Sequence, residues 1–328
     1  MQREEKKLTD QRKQGLNMLT RRNFIQKTAL TAGALVAGNS LMSEVMAEEA
    51  AQKLVILHTN DVHSRLEPFP MDGGRNQGLG GVAARAELIK QVRAEGSQVL
   101  LLDAGDIFQG TPYFNFYKGE PEMKAMAAMG YDACTMGNHD FDAGLENFAN
   151  QLMHANFPVL LSNYDFSHTP MEHKAIPYKI FKKGKLKVGI TGVGIELKGL
   201  VPENLYGATR YLDPVKEATR VAEHLKKKEG CDMVICLSHL GAKYRDNKVS
   251  DEVFAKESDH IDLVIVGHTH TFFDAPVVYK NKSGDDVIVN QVGWGGIVLG
   301  RMDFAFQRNK RKNLEASHTV VIGKKTSE

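Results

Sequence analysis

Cysteine is scarce: the 328-residue chain has three, at Cys134, Cys231 and Cys236. An odd number without C-x-x-C spacing argues against a disulfide framework and against a thiolate metal site. Each lies in or beside an apolar run, so all three are expected as buried free thiols. Tryptophan occurs once, at Trp294 in a glycine-rich turn. No charge of one sign dominates, since 42 Lys and Arg stand against 40 Asp and Glu. Residues 1–47 carry eight basic and four acidic side chains, which leaves 34 basic and 36 acidic for the rest. The basic character is therefore terminal, and the body carries no electrostatic footprint for a nucleic-acid duplex. Low-complexity tracts, short-period repeats and Pro/Ser linkers are missing too.

What is present fits a soluble globular protein: 42% of residues are hydrophobic and 25% charged, enough for a sizeable core. The N-terminus has the form of an export signal. "TRRNFIQK" places Arg21-Arg22 before Phe24-Ile25, and "TALTAGALVAG" follows as a weakly apolar run of small residues. Val45 and Ala47 in "VMAEEA" suit a cut after Ala47. The segment resembles a twin-arginine signal, which implies an exported, periplasmic protein. The run is too short and too rich in Gly and Ala for a membrane span. No cysteine near the cut offers a lipid anchor, so no stable membrane anchor is expected. Met18 is a second candidate start. The expected organisation is a signal segment over 1–47 and one domain over 48–328.

Short apolar runs alternate with helical patterns along that domain. "KLVILHTND", "QVLLLDAGD", "FPVLLSN", "LKVGITGVG", "CDMVICLSHLG" and "IDLVIVGHTHT" read as strands. So does the run from Met129 to Thr135, which leads into "GNHDFD". "GGVAARAELIKQVRAEG", "PEMKAMAAMG", "ENFANQLMHAN" and "DPVKEATRVAEHLKKKEG" read as helices. "DVIVNQVGWGGIVLGRMDFAF" closes with strands turning at glycines, and the last twenty residues read as an irregular surface strand and tail. Continuous Val/Ile/Leu strands between helices indicate sheets covered on both faces, an α/β class.

Five polar clusters follow strand-like runs: Asp61 with His63, Asp106, Asn138 with His139 and Asp142, His239, and His268 with His270. In α/β proteins the loops after the carboxyl ends of strands line the ligand crevice. Taken singly, each cluster is ordinary: a capping pair, a core histidine, turn chemistry. Their joint placement at strand ends points to a single rim. D-x-H and H-x-H spacings put both side chains on one side of an extended segment. Imidazole, carboxylate and amide donors without thiolate suit Zn, Mn or Fe(II). They are too many for one tetrahedral ion, whereas two ions about 3.5–4 Å apart, bridged by a carboxylate, use them all. His58 and Asp103 read as supporting residues, and Asp140 as a loop residue with no direct chemistry.

The order D-x-H, GD, GNHD, H, GHTH resembles the signature of the calcineurin-like metallophosphoesterases. "ILHTNDVH", "DAGDIFQGTP", "GYDACTMGNHDFDAG", "VICLSHLG", "VIVGHTH" and "NQVGWGG" are similar to the catalytic domain of the 5′-nucleotidase/UDP-sugar hydrolase family, from about Leu54 to Phe306. The resemblance implies a four-layered αββα sandwich of two mixed sheets with a dimetal site at the strand ends. Asp61, His63 and His270 would bind one divalent ion, Asn138, His239 and His268 the other, and Asp106 would bridge them. His139 would face the substrate phosphate, its ring oriented by Asp142. The implied activity is a 5′-nucleotidase-like phosphomonoesterase using a metal-bound hydroxide on a phosphorylated small molecule. Alternatives are a related thiosulfohydrolase, a UDP-sugar or cyclic-nucleotide phosphodiesterase and, from another class, a non-catalytic metal-dependent binding protein. Ser64 stands where the family usually has Gly, and Asp140 where it usually has Glu. Family nucleotidases add a C-terminal domain that holds the base. Nothing similar is read here, so weak base discrimination is expected, with a separate chain of that kind as an expected partner.

Overall fold

The computed structural model describes residues 52–246, 248–306 and 312–323. The signal-like segment over 1–47 lies outside the described residues. Two mixed sheets face each other. The first runs β15 (Lys312–Val321), β14 (Val298–Phe306), β1 (Gln52–Thr59), β2 (Gln98–Asp103), β3 (Ala133–Cys134), β4 (Val159–Leu160), β6 (Ala175–Ile176). Strands β1 to β4 and β6 are parallel; β14 and β15 are antiparallel at one side. The second sheet runs β12 (Val277–Lys280), β13 (Asp286–Asn290), β11 (Leu263–Val266), β10 (Met233–Ser238), β8 (Leu186–Val193), β7 (Tyr178–Lys183). Its four central strands are parallel and both edges antiparallel. A small ribbon pairs β5 (Tyr164–Asp165) with β9 (Arg210–Tyr211).

The pleat sorts each strand's side chains into two cores. Leu54 and Ile56 of β1, Leu100 and Leu102 of β2, Val188 and Ile190 of β8, and Met233 and Ile235 of β10 pack together between the sheets. Their neighbours in sequence turn outward. Val55, Leu57 and Leu101 meet Ile89 and Val92 of α1 (Val82–Ala94), Phe114 of α2 (Pro112–Tyr117), Met123 and Met126 of α3 (Glu120–Met129) and Phe148 of α4 (Leu145–Gln151). A four-residue helix α5 (Glu203–Tyr206) precedes α6 (Pro214–Lys227) and α7 (Asp251–Glu257). Val234, Cys236 and Val264 meet Ala218, Val221 and Leu225 of α6 and Phe254 of α7 on the far face of the second sheet. The architecture is thus helix, sheet, sheet, helix. Helix α6 starts where Asp213 accepts hydrogen bonds from the amides of Val215 and Lys216 at 2.9 and 3.1 Å, with Pro214 in the first turn, a strong N-terminal stop.

Several elements differ from the sequence reading. The run from Met129 to Thr135 is not one strand: Met129 ends α3, and only Ala133–Cys134 pair. Likewise "FPVLLSN" pairs only over Val159–Leu160. By contrast, the surface strand expected in the last twenty residues is there, as the ten-residue β15 paired along β14. All three cysteines are buried and unpaired, and burial pushes the thiols of Cys134 and Cys236 well up.

Candidate metal centre

The loops leaving β1, β2 and β3 carry Asp61, His63, Asp106, Asn138 and His139; those leaving β10 and β11 carry His239, His268 and His270. The two sheets bring these loops to one edge, as the carboxyl ends of parallel strands require. Asp61, His63, Asp106, His268 and His270 all adopt left-handed backbone, with φ of 50°, 53°, 55°, 75° and 54°. Such turns are tolerated better by Asp and His than by most residues, and such strain clusters at functional sites.

Two groups of side chains converge. Asp61, His63 and His270 offer ligand atoms within 4.8 Å of one another, and so do Asp106, His239 and His268. His63 Nε2 lies 2.9 Å from His270 Nε2 and 4.0 Å from Asp61 Oδ1. Asp106 Oδ2 lies 3.1 Å from His239 Nε2 in its own group and 3.8 Å from His63 Nε2 in the other. Asn138 Oδ1 lies 2.8 Å from His268 Nδ1. His139 and Asp142 stand outside both groups: His139 Nδ1 is 2.8 Å from Asp142 Oδ2, and the His139 ring lies 5.3 Å from that of His63.

The donors fit two divalent cations. His239 Nδ1 donates to the Ala104 carbonyl at 2.7 Å, and His63 Nδ1 to that of Phe108 at 3.3 Å. A carbonyl only accepts, so each Nε2 turns inward. The fully buried His239 Nε2 has no hydrogen-bond partner despite the nearby Asp106 oxygen. At 3.1 Å from a carboxylate oxygen that nitrogen needs either a proton or a cation between them. Asp61 and Asp106 are 0% and 1% exposed, yet among the described residues their ion pairs are with histidines alone. Two buried carboxylates without Lys or Arg call for a cation. The same field acts on protons. Burial works against charging His239, but the charge and proximity of Asp106, then Asp61, raise its pKa to about 10. Burial outweighs the carboxylates at His63 and, with the charge of His239, lowers His268 to about 4. Those two imidazoles are neutral at pH 7, as ligands must be.

Sequence reasoning missed the part played by Asp140. This buried side chain accepts from the amides of Gly137 at 2.8 Å and of Asp106, Ile107 and Phe108 at 3.0 Å each. One carboxylate thereby ties the β2 loop to the β3 loop. Burial and the adjoining Asp106 push it up to about 7, against the pull of the Gly137 and Phe108 amides. An acid three residues after a strand-ending glycine is the signal that could have found it. Asp140→Asn turns an amide group toward backbone donors. The expected cost is on the order of 3 kcal/mol in denaturant unfolding. An unchanged midpoint would show that the anchoring is dispensable. Asp103 similarly accepts from Thr59 Oγ1 at 2.5 Å and from the Gly105 amide at 2.9 Å, and His58 Nε2 meets the Asn290 amide group at 3.0 Å inside the core.

Two adjoining carboxylate–imidazole groups at the shared edge of a double-sheet α/β sandwich define a candidate two-cation centre. The chain belongs to the calcineurin-like phosphoesterases, whose family model matches residues 54–272. It is 35% identical over 296 residues to a snake venom 5′-nucleotidase of Gloydius brevicauda, covering 84% of this chain and 49% of the relative. It is 33% identical to a 5′-nucleotidase of Vibrio cholerae, covering 93% and 58%. The solved 5′-nucleotidase precursor of Thermus thermophilus superposes with a TM-score of 0.74 at 31% identity, over 83% of this chain and 55% of that one. The chain thus spans about half the length of the curated relatives it matches.

Proposed function

We propose that the chain is a two-cation phosphohydrolase, a 5′-nucleotidase-like phosphomonoesterase. One observation carries the reading: two ligand groups adjoin at Asp106, 3.1 Å from His239 in its own group and 3.8 Å from His63 in the other, and a histidine–carboxylate pair that neither group uses stands beside them. A binding module needs the ligands but not the pair. In this reading Asp61, His63 and His270 hold one ion, Asn138, His239 and His268 the other, and Asp106 both. The nitrogen and oxygen donors without thiolate favour Zn, Mn or Fe. Bound divalent ions supply the positive charge that acidifies water and draws charge from phosphoryl oxygens.

The protein's own part is proton handling and positioning. The hydrogen bond that His139 Nδ1 donates to Asp142, with the charge of Asp106, raises the His139 pKa against the effect of burial. With Nδ1 held by Asp142, Nε2 presents its proton to the leaving oxygen or to a phosphoryl oxygen. Asp140 fixes the distance between the Asp106 and His139 loops. Beside His268 a cleft of about 530 Å³, lined by Ile195, Leu200, Tyr211, Leu240 and Tyr244, gives room for the esterified group.

The test is hydrolysis of p-nitrophenyl phosphate by the chelated and the Mn- or Zn-reloaded chain. Activity restored by metal supports the reading; bound metal without phosphate release would leave a binding protein, and sulfate release from a sulfur ester instead would indicate a thiosulfohydrolase. AMP is expected to compete with ribose 5-phosphate by less than about tenfold, although base stacking on aromatic side chains can be worth about 1–3 kcal/mol. The reason is that both cleft tyrosines are engaged, Tyr244 through its hydroxyl to the Leu240 carbonyl at 2.5 Å and Tyr211 against Tyr164 at 6.1 Å. A hundredfold preference for AMP would reveal a base pocket within these residues. A separate chain that supplies the base site remains part of the proposal, as does export. Export rests on Arg21-Arg22 and the run after it; among the described residues no helix is long and apolar enough to cross a membrane.

A further inference from the structure

Two of the four candidate histidine ligands have the second ring nitrogen held by a carbonyl. His63 and His239 donate Nδ1–H to the Phe108 and Ala104 carbonyls, while His268 Nδ1 faces Asn138 Oδ1, its companion in the second group, at 2.8 Å. Such contacts to the far nitrogen fix a ligand's tautomer and ring direction. No hydrogen bond of this kind holds His270 Nδ1 among the described residues, and its side chain is 40% exposed, against 8% for His63. Something else must hold its ring.

The indole of Trp294 lies on it, with ring centroids 5.7 Å apart and planes 13° from parallel, within the offset-stacked range. The indole is itself braced. Phe69 meets it edge-on at 5.4 Å, and the Arg65 guanidinium sits 4.0 Å over the Phe69 ring. Backbone bonds anchor the turn to the segments bearing the first ligand group: Gly293 N donates to the Thr271 carbonyl at 2.9 Å and Gly295 N to that of Asp61 at 2.7 Å. Asn60 Nδ2 adds a bond to the Gly293 carbonyl at 2.6 Å and one to Asp61 Oδ2, also 2.6 Å. Gly293, Gly295 and Gly296 take φ of 69°, 66° and 61°, a path side chains resist. The turn is therefore built to place one large ring against one ligand.

We propose that Trp294 is a positioning residue for the first cation group, holding His270 by stacking where His63 and His239 are held by hydrogen bonds to carbonyls. As the chain's single tryptophan, it also reports on that group by its fluorescence. The inference rests on reading Asp61, His63 and His270 as a cation group.

Titration of the chelated full chain with Mn(II) tests it, by fluorescence and by competition with a chromophoric chelator. In the parent, the emission change is expected to follow one of two binding steps. Trp294→Leu should weaken that step by roughly 10- to 100-fold, the usual cost of losing a ligand's support, and leave the other step unchanged. Trp294→Phe, which restores a stacking ring, should recover most of the affinity. Equal binding of both ions by Trp294→Leu would overturn the inference. So would loss of both ions in Trp294→Leu and Trp294→Phe alike, the mark of a collapsed turn. A parent chain that takes up no ion would instead sink the cation reading, and this inference with it.

Discussion

Asp106→Ala is expected to lose both cations and to lower phosphate-ester hydrolysis by more than about 10³-fold, beyond the effect of losing one electrostatic contact. The geometry asks a great deal of this carboxylate. Its Oδ2 lies 3.1 Å from His239 and 3.8 Å from His63, one histidine of each group. Its Oδ1 accepts from the His139 amide at 2.8 Å, so the same side chain steadies the residue proposed as the acid. Burial alone would raise its pKa, yet the charge and nearness of His239, followed by His63 and His139, draw it below the ordinary carboxylate range. An ionised group at 1% exposure sits where positive charge is concentrated. Chelation of the parent should reproduce the loss of activity, and elemental analysis decides the assignment. Two ions per chain in Asp106→Ala would show that Asp106 bridges nothing.

His139→Ala should do the opposite to metal content: both ions stay while kcat falls by roughly 10²–10⁴, the range for a lost general acid. The ring is outside both ligand groups and half-buried at their mouth. Asp142→Asn should cost less, because it removes the ring's orientation and not the ring. It also carries a sign. Asp142 raises the His139 pKa, so the protonated form persists to higher pH in the parent. In Asp142→Asn the alkaline fall in kcat should therefore move to lower pH. A better leaving group should rescue His139→Ala if the proton goes to the leaving oxygen, while an equal loss on every ester would favour charge stabilisation of the phosphoryl group. Loss of an ion in His139→Ala would move this residue into the coordination shell.

The layers of the fold were legible because buried parallel strands leave a crude signature. "VLLL" in β2 and "LVIV" in β11 have no solvent face. What escaped were elements that tertiary contacts decide. Strands β3 and β4 have two residues each, and β7, "YKIFKK", reads by its lysines as surface. The site was legible for a different reason: each candidate ligand follows a strand, so one-dimensional position already implied a common edge. Asp140 was not, since its four backbone donors come from two loops whose meeting no local pattern announces. Nor was Trp294, whose partner comes from the loop of the neighbouring strand β11, a pairing that no local pattern announces.

Each ligand group takes side chains from both sheets: Asp61 and His63 follow β1 and His270 follows β11, while Asp106 follows β2 and His239 and His268 follow β10 and β11. An ion held in either group therefore ties together points far apart along the chain, 207 residues in the case of His63 and His270. Such a tie acts as a removable cross-link. It closes a long loop whose entropy the unfolded chain would otherwise keep, and it does so in a protein whose cysteines form no covalent bridge. By mass action, free cation at a hundred times its dissociation constant adds about 2.7 kcal/mol per independent site to the folded state. With both groups acting as cation sites, the resistance of this fold to unfolding would depend in part on the dissolved metal around it.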